Sequence, residues 1–208
     1  PYDNLIDSSG LMDFTGTPFQ LDPGITNSTV RYDTPKFFGG LTLSLAMAAD
    51  GPGRRDALPS SLLIPTDEAS DNVDVYIATA LYKAHGLRAG VGYIKDQNTD
   101  ADQWGVDLRY GNDDFQIGGT YEDGDVILPN ARGWGIAGQL NFGNNVIIAH
   151  GGRRTTDLSA AELDEYALGV QHWFSKRTHV YAEYQHVDFK LDALEDADTV
   201  ALGLRHDF

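Results

Sequence analysis

Apolar residues recur at every second position through most of this chain, the period of a strand with one apolar face. Eleven such segments emerge, at 27–34, 41–50, 72–83, 87–96, 103–111, 115–122, 132–142, 145–154, 165–174, 178–190 and 198–208. In one of them Trp104, Val106, Leu108 and Tyr110 share a face, with Gln103, Gly105, Asp107 and Arg109 on the other. In another, Tyr166, Leu168, Val170, His172 and Phe174 alternate with Ala167, Gly169, Gln171 and Trp173. The last sets Val200, Leu202, Leu204, His206 and Phe208 against Ala201, Gly203, Arg205 and Asp207. The second face is thus rich in Gly, Ala, Gln, Asp and Arg, which suits contact with water. A packed interior would place Leu and Val there.

The connections alternate short and long. Short ones fall at 35–40, 83–86, 111–114, 143–145 and 175–177, long ones at 51–71, 97–102, 123–131, 155–164 and 191–197. A soluble sandwich has no reason to sort loop length by end. A membrane barrel does, with short turns at one rim and long loops at the other. Strands of about 10 residues, tilted by about 45°, also match a bilayer's thickness. The expected fold is therefore all-β, an antiparallel transmembrane β-barrel. A soluble β-rich binding module, its apolar face packed on another sheet, is the competing reading of the alternation alone.

Composition narrows the classes. The 208 residues carry 31 acids against 15 bases, a net charge of −16. Nucleic-acid binding calls for the opposite sign. With no cysteine, disulfide scaffolds and thiolate metal sites are excluded. The longest apolar-rich stretch, 41–49, is interrupted by Thr42 and Ser44 and falls short of the roughly 18 residues of a transmembrane helix. Mean hydropathy is −0.32, as expected where only alternate residues face lipid.

Apparent chemical motifs reduce to the strand pattern. Residues 133–138, Gly-Trp-Gly-Ile-Ala-Gly, spell G-x-G-x-x-G, but the alternation continues through Gln139–Phe142, where a dinucleotide site needs a helix. Those glycines read as lumen-side positions. The stretch 96–102 begins like an EF-hand loop, yet Ala101 stands at the required glycine and Asp107 at the bidentate glutamate; it reads as a solvated acidic loop, with loose bridging of divalent cations to lipid phosphates as the alternative. The six histidines lack ligand spacing. Nucleophile and base are nowhere grouped as catalysis requires, so neither enzyme activity nor a cofactor or metal is expected. Trp134, Trp173, Tyr110 and Tyr121 recur near strand ends, as interfacial anchors do.

Several stretches resemble a known family. The C-terminus, Gly203-Leu204-Arg205-His206-Asp207-Phe208, resembles the assembly signal of outer-membrane barrels, although His206 replaces the usual apolar residue. Residues 27–35 (Asn-Ser-Thr-Val-Arg-Tyr-Asp-Thr-Pro), 166–169 (Tyr-Ala-Leu-Gly) and 175–178 (Ser-Lys-Arg-Thr), leading to Tyr181-Ala182-Glu183-Tyr184, resemble the general diffusion porins of Gram-negative bacteria. Pro1-Tyr2-Asp3-Asn4 is similar to the start of that family's third loop, which folds into the barrel and narrows it.

The resemblance implies a sixteen-stranded trimeric barrel in the outer membrane. It implies passive diffusion of small hydrophilic solutes, contact with lipid and lipopolysaccharide, and assembly by the barrel assembly machinery through Gly203 and Phe208. Eleven strands after the third loop is the count expected if five precede Pro1, so the 208 residues are expected to be a fragment: an inward constriction loop at 1–26 and barrel wall at 27–208. Family porins set wall arginines against acids of the inward loop, which makes Arg31 the candidate wall base and Asp3, Asp7, Asp13 and Asp22 the candidate acids. Arg88, Arg109, Arg205, Asp107 and Glu183 take lumen-facing parity and are candidate pore-lining residues. The acid excess favours a mild cation preference. A channel for one substrate class, such as sugars, is the alternative; Tyr76, Tyr82, Trp173 and Tyr181 are the aromatic residues with the parity to serve it.

Overall fold

A computed structural model of the chain describes residues 29–49, 73–97, 99–126, 128–191 and 193–207. The expected segment 1–26, with Asp3, Asp7, Asp13 and Asp22, lies outside the described residues, as do the whole 51–71 connection and Phe208.

Eleven strands follow one another: β1 (Thr29–Asp33), β2 (Leu41–Ala49), β3 (Val73–Ala84), β4 (Leu87–Asp96), β5 (Asp102–Gly111), β6 (Phe115–Gly124), β7 (Ala131–Phe142), β8 (Asn145–Thr155), β9 (Leu163–Ser175), β10 (Thr178–Phe189) and β11 (Ala197–His206). They form one sheet in sequence order, each strand antiparallel to the last. In such a meander, alternate connections necessarily lie at opposite ends, so the short turns gather at one rim and the long loops at the other. Among the described residues β1 and β11 are the sheet's edges, and the barrel is not closed. A 3-10 turn at Ser159–Ala161 interrupts one long loop and has no counterpart in the alternation pattern. Among the described residues no helix is long and apolar enough to cross a membrane, which says nothing of crossing by strands.

The short turns explain the register. His85 and Gly86 join β3 to β4 with both φ angles positive (52° and 79°), as a type I′ hairpin turn requires. Its right-handed twist matches that of the strands. A two-residue turn fixes the pairs: Ala84 faces Leu87, and Lys83 faces Arg88. A Cβ on Gly86 would lie 2.3 Å from the Gly111 carbonyl oxygen of β5, so glycine is required there twice over. At the β7–β8 turn Gly143 takes the positive φ (57°) ahead of Asn144.

The two faces are inverted relative to a soluble protein. Val30, Leu45, Val91, Leu108, Ile136, Leu168, Val200 and Leu202 are exposed on the outer face, Leu202 to 76%. Gln103, Glu122, Gln171 and Glu183 are buried on the inner one. A curved sheet produces this contrast, because side chains on its concave side shield one another.

Candidate pore wall

The outer face is zoned along the strand direction. Toward the long loops it carries Tyr93, Trp104, Tyr121, Trp134, Tyr166 and Tyr184. Trp104 and Tyr121 stand with ring centroids 5.5 Å apart, Tyr166 and Tyr184 6.1 Å. Toward the short turns lie Tyr82, Tyr110, Phe115, Phe142 and Phe174, with Tyr110 and Phe115 at 6.0 Å. Aliphatic residues such as Val106, Leu108, Ile136 and Leu168 fill the band between. Two aromatic girdles around an apolar band are the surface a bilayer selects: indole and phenol rings sit at headgroup level, and aliphatics meet the acyl chains.

Parity corrects three aromatic assignments. Tyr76 faces Met47 and Tyr82 faces Leu41, both in register on the outer face, so neither tyrosine lines the inner wall. β3 is apolar on both faces, with Val75, Ile77 and Leu81 inward, and this blurs the alternation. Trp173 is no interfacial anchor; it stacks inward on His179 at 4.0 Å between ring centroids. Tyr181 also faces inward, its ring lying where a Cβ on Gly203 would be, 2.3 Å from Cζ. Of the glycines at 133–138, Gly133 and Gly135 face inward, but Gly138 shares the outer face with Ile136 and Leu140.

The charged residues named as pore-lining candidates, Arg31, Arg88, Arg109, Asp107, Glu183 and Arg205, all take the inner face, whereas Asp123, Arg132, Arg153 and Asp164 face outward at the long-loop end. Arg31 lies on the face opposite Val30 and Tyr32, which are 74% and 62% exposed. Its Nε donates to Asp33 at 3.0 Å and its Nη2 to Ser44 Oγ at 3.4 Å, while the Ser44 hydroxyl donates to Asp33. Asp33 and Ser44 are thus part of the Arg31 site. Asp33 was legible as the next residue on that face; Ser44 needed the β1–β2 register. Beside Arg31 the wall turns apolar, because one register row runs Arg31, Ala46, Ile77, Ile94. Ile94 is 3% exposed.

Arg88 donates from Nε to Asp107 Oδ2 at 3.1 Å. Arg109 is the register partner of Arg88, and Lys83 stands on the other side of it. The structure therefore gathers Arg88, Arg109 and Asp107 and adds Lys83. It leaves Arg31 on β1, and Glu183 and Arg205 on the distant β10 and β11. Glu183 is buried between Gly169 and Ala201, and Arg205 donates to Asp207 at 3.0 Å. On the long-loop side Gln103 Nε2 donates to Glu122 at 3.1 Å. The acidic stretch at 96–102 is tied to its neighbours: Lys95 Nζ reaches Asp100 Oδ1 at 2.5 Å, and the Asp102 amide donates to Asp125 at 2.7 Å. Among the described residues no group of three or more His, Cys, Asp or Glu is placed to hold a metal ion.

The sequence matches the model of the Gram-negative porin family over residues 2–192. The chain belongs to that family. Solved structures agree on the fold. A triple mutant of the Rhodopseudomonas blastica porin superposes with a TM-score of 0.57 at 17% identity, over 86% of this chain and 55% of that one. A second mutant of the same porin gives a TM-score of 0.56 at 17% identity, with the same coverage. The chain thus spans about half the length of these solved porins. No curated protein matches the sequence. The inverted faces, girdles and sorted loops of this porin are the same features that the alternation and loop lengths implied.

Proposed function

We propose that this porin forms, in the outer membrane of a Gram-negative bacterium, a water-filled channel for passive diffusion of small hydrophilic solutes and ions. The observation that carries the reading is the inversion of the sheet, with Leu202 exposed to 76% on one face and Glu183 to 3% on the other. Such a sheet is stable only with hydrocarbon outside and polar or aqueous surroundings inside.

The constriction is assigned to Arg31 on the wall, facing Asp3, Asp7, Asp13 and Asp22 on a segment, 1–26, folded into the lumen. The apolar row Ala46, Ile77 and Ile94 beside Arg31 supports this, because a wall bathed in water has no use for it and a packed segment does. A base on the wall opposite acids on the segment makes a transverse field that orients dipolar solutes and disfavours apolar ones. Family membership supports a homotrimer, contact with lipid and lipopolysaccharide at the outer girdle, and assembly through Phe208. A sugar-specific channel is favoured less, since Tyr76 and Tyr82 leave the inner wall and Trp173 and Tyr181 alone make no stripe along it.

Liposome swelling with the complete protein tests the reading. Uptake rates should fall steeply from monosaccharide to tetrasaccharide, with little difference between sugars of equal size. Swelling no faster than in protein-free liposomes would refute it. Strong preference among isomers would favour the sugar-specific channel.

A further inference from the structure

Two long loops are tied down over the inner side of their own rim. One joins β6 to β7 and the other β8 to β9. Arg154 is the register partner of Gly133 and Leu163, on the face opposite Trp134 and Arg153, so it takes the inner face. Its Nε donates to the Ala161 carbonyl oxygen, seven residues on, at 2.5 Å. That carbonyl belongs to the 3-10 turn Ser159–Ala161. For an inward side chain to reach it, the loop must bend back over the inner side of the wall. Ala131 gives the same answer. It precedes the inward Gly133 by two residues, is 2% exposed, and clusters with Leu128 and Ala161.

Surface loops ordinarily satisfy their backbone groups with water and bury little. These two differ. The Thr156 hydroxyl donates to the Pro129 carbonyl oxygen at 2.7 Å, and the Asp157 amide to the same oxygen at 3.1 Å. The Thr156 amide donates to Glu162 Oε1 at 3.1 Å, and the Asn130 side-chain amide donates to Asp157. Leu128 is buried between the loops. Together they carry a small core of their own, with its hydrogen bonds made inside it. Within this set Arg154 is the tie that starts from a strand, β8, and ends in the loop.

We propose that Arg154 is a positioning residue for solute passage: it pins the 155–162 loop inside the long-loop mouth, and the pinned loop narrows that mouth. Polar solutes arriving from the long-loop side therefore meet a size limit at the rim, set apart from the one assigned to Arg31. The proposal rests on the diffusion-channel reading and adds to it a second restriction at a different height in the pore.

The test compares the complete protein with its Arg154→Ala variant in planar bilayers, with polyethylene glycols of graded size added to one chamber at a time. Uncharged polymers report width without responding to the lost charge. Orientation is read afterwards from protease cleavage of the long loops. In the variant, larger polymers should enter from the long-loop side, while the limit from the short-turn side stays as it was. Amide exchange at Ala161 and Glu162, whose N–H groups donate to Leu158 and Ser159, should quicken about tenfold or more, the loss of one charge-assisted hydrogen bond. Thr156→Val, which removes the tie to Pro129 and leaves every charge in place, should move the long-loop limit the same way and by less. An unmoved long-loop limit in Arg154→Ala overturns the proposal, and so does an equal shift from both sides, the mark of general damage to the wall. If Arg154→Ala does not assemble, Thr156→Val decides alone by the same criteria. Folded protein that forms no channels overturns the diffusion reading, and the narrowing with it. Quickened exchange with an unmoved limit overturns the narrowing alone.

Discussion

The carboxylate of Asp107 lies over the bare backbone of Gly90 on the neighbouring strand and from there meets Arg88, Nε to Oδ2, at 3.1 Å. A Cβ on Gly90 would come within 2.2 Å of that carboxylate, so the glycine creates the space in which the pair forms. Gly90→Ala should therefore displace Asp107 and cost about 1 kcal/mol, the scale of a partly exposed ion pair plus local strain. In an Asp107→Ala background the same change should cost little. Urea unfolding in detergent, run as a double-mutant cycle, measures the coupling.

Gly86 provides a backbone test. Its φ of 79° is strained for any residue with a side chain, and the Gly111 carbonyl oxygen lies 2.3 Å from where a Cβ would sit. That neighbour is main chain and cannot swing aside. Gly86→Ala should cost more than about 1 kcal/mol and slow refolding of the β3–β4 hairpin. Gly143, with nothing within 4 Å, should tolerate alanine better, limited by its φ alone.

The faces can be distinguished by one cation. Val106 lies between Trp104 and Tyr110, in the apolar band of the outer face. Val106→Arg should destabilise the folded barrel by about 2–4 kcal/mol, as a cation at the bilayer midplane does. Thr120→Arg, on the inner face of β6, should cost much less and alter ion selectivity instead. Equilibrium unfolding in lipid vesicles compares the two.

Loop titration supplies a pH prediction. Asp100 lies outside the strands, and the Lys95 ammonium bonded to it at 2.5 Å holds its carboxyl below the usual carboxylate range. A folded-state pKa lowered in this way favours the folded loop above the unfolded-state value. That contribution fades as the pH falls through the folded value. Carbon-13 NMR should find Asp100 titrating later on acidification than free aspartate, and Lys95→Gln should return it to the ordinary range.

Much of this was legible in the chain. β4, with its clean alternation, matches its expected bounds, and β5 to β8 match to within two residues, because one face meets lipid and the other water. Arg31, Arg88, Asp107 and Arg109 could be put on the inner side by counting residues. The Arg88–Asp107 contact could not, because it joins residues 19 apart and depends on the cross-strand register. The row of Lys83 with Arg88 was within reach from the His85–Gly86 turn, since a two-residue hairpin dictates which residues face each other. Tyr76 and Tyr82 were misplaced because β3 presents apolar residues to both sides. Trp173 was misread as an anchor because nearness to a strand end does not reveal which face a ring takes.

The most direct test of the central claim is single-channel conductance of the complete protein in a planar bilayer, with Arg31→Ala measured beside it. The account predicts large, stepwise, ohmic currents, and a shift of ion selectivity toward cations when the Arg31 charge is removed from the constriction. Correctly folded, detergent-dependent protein that carries no current would contradict it.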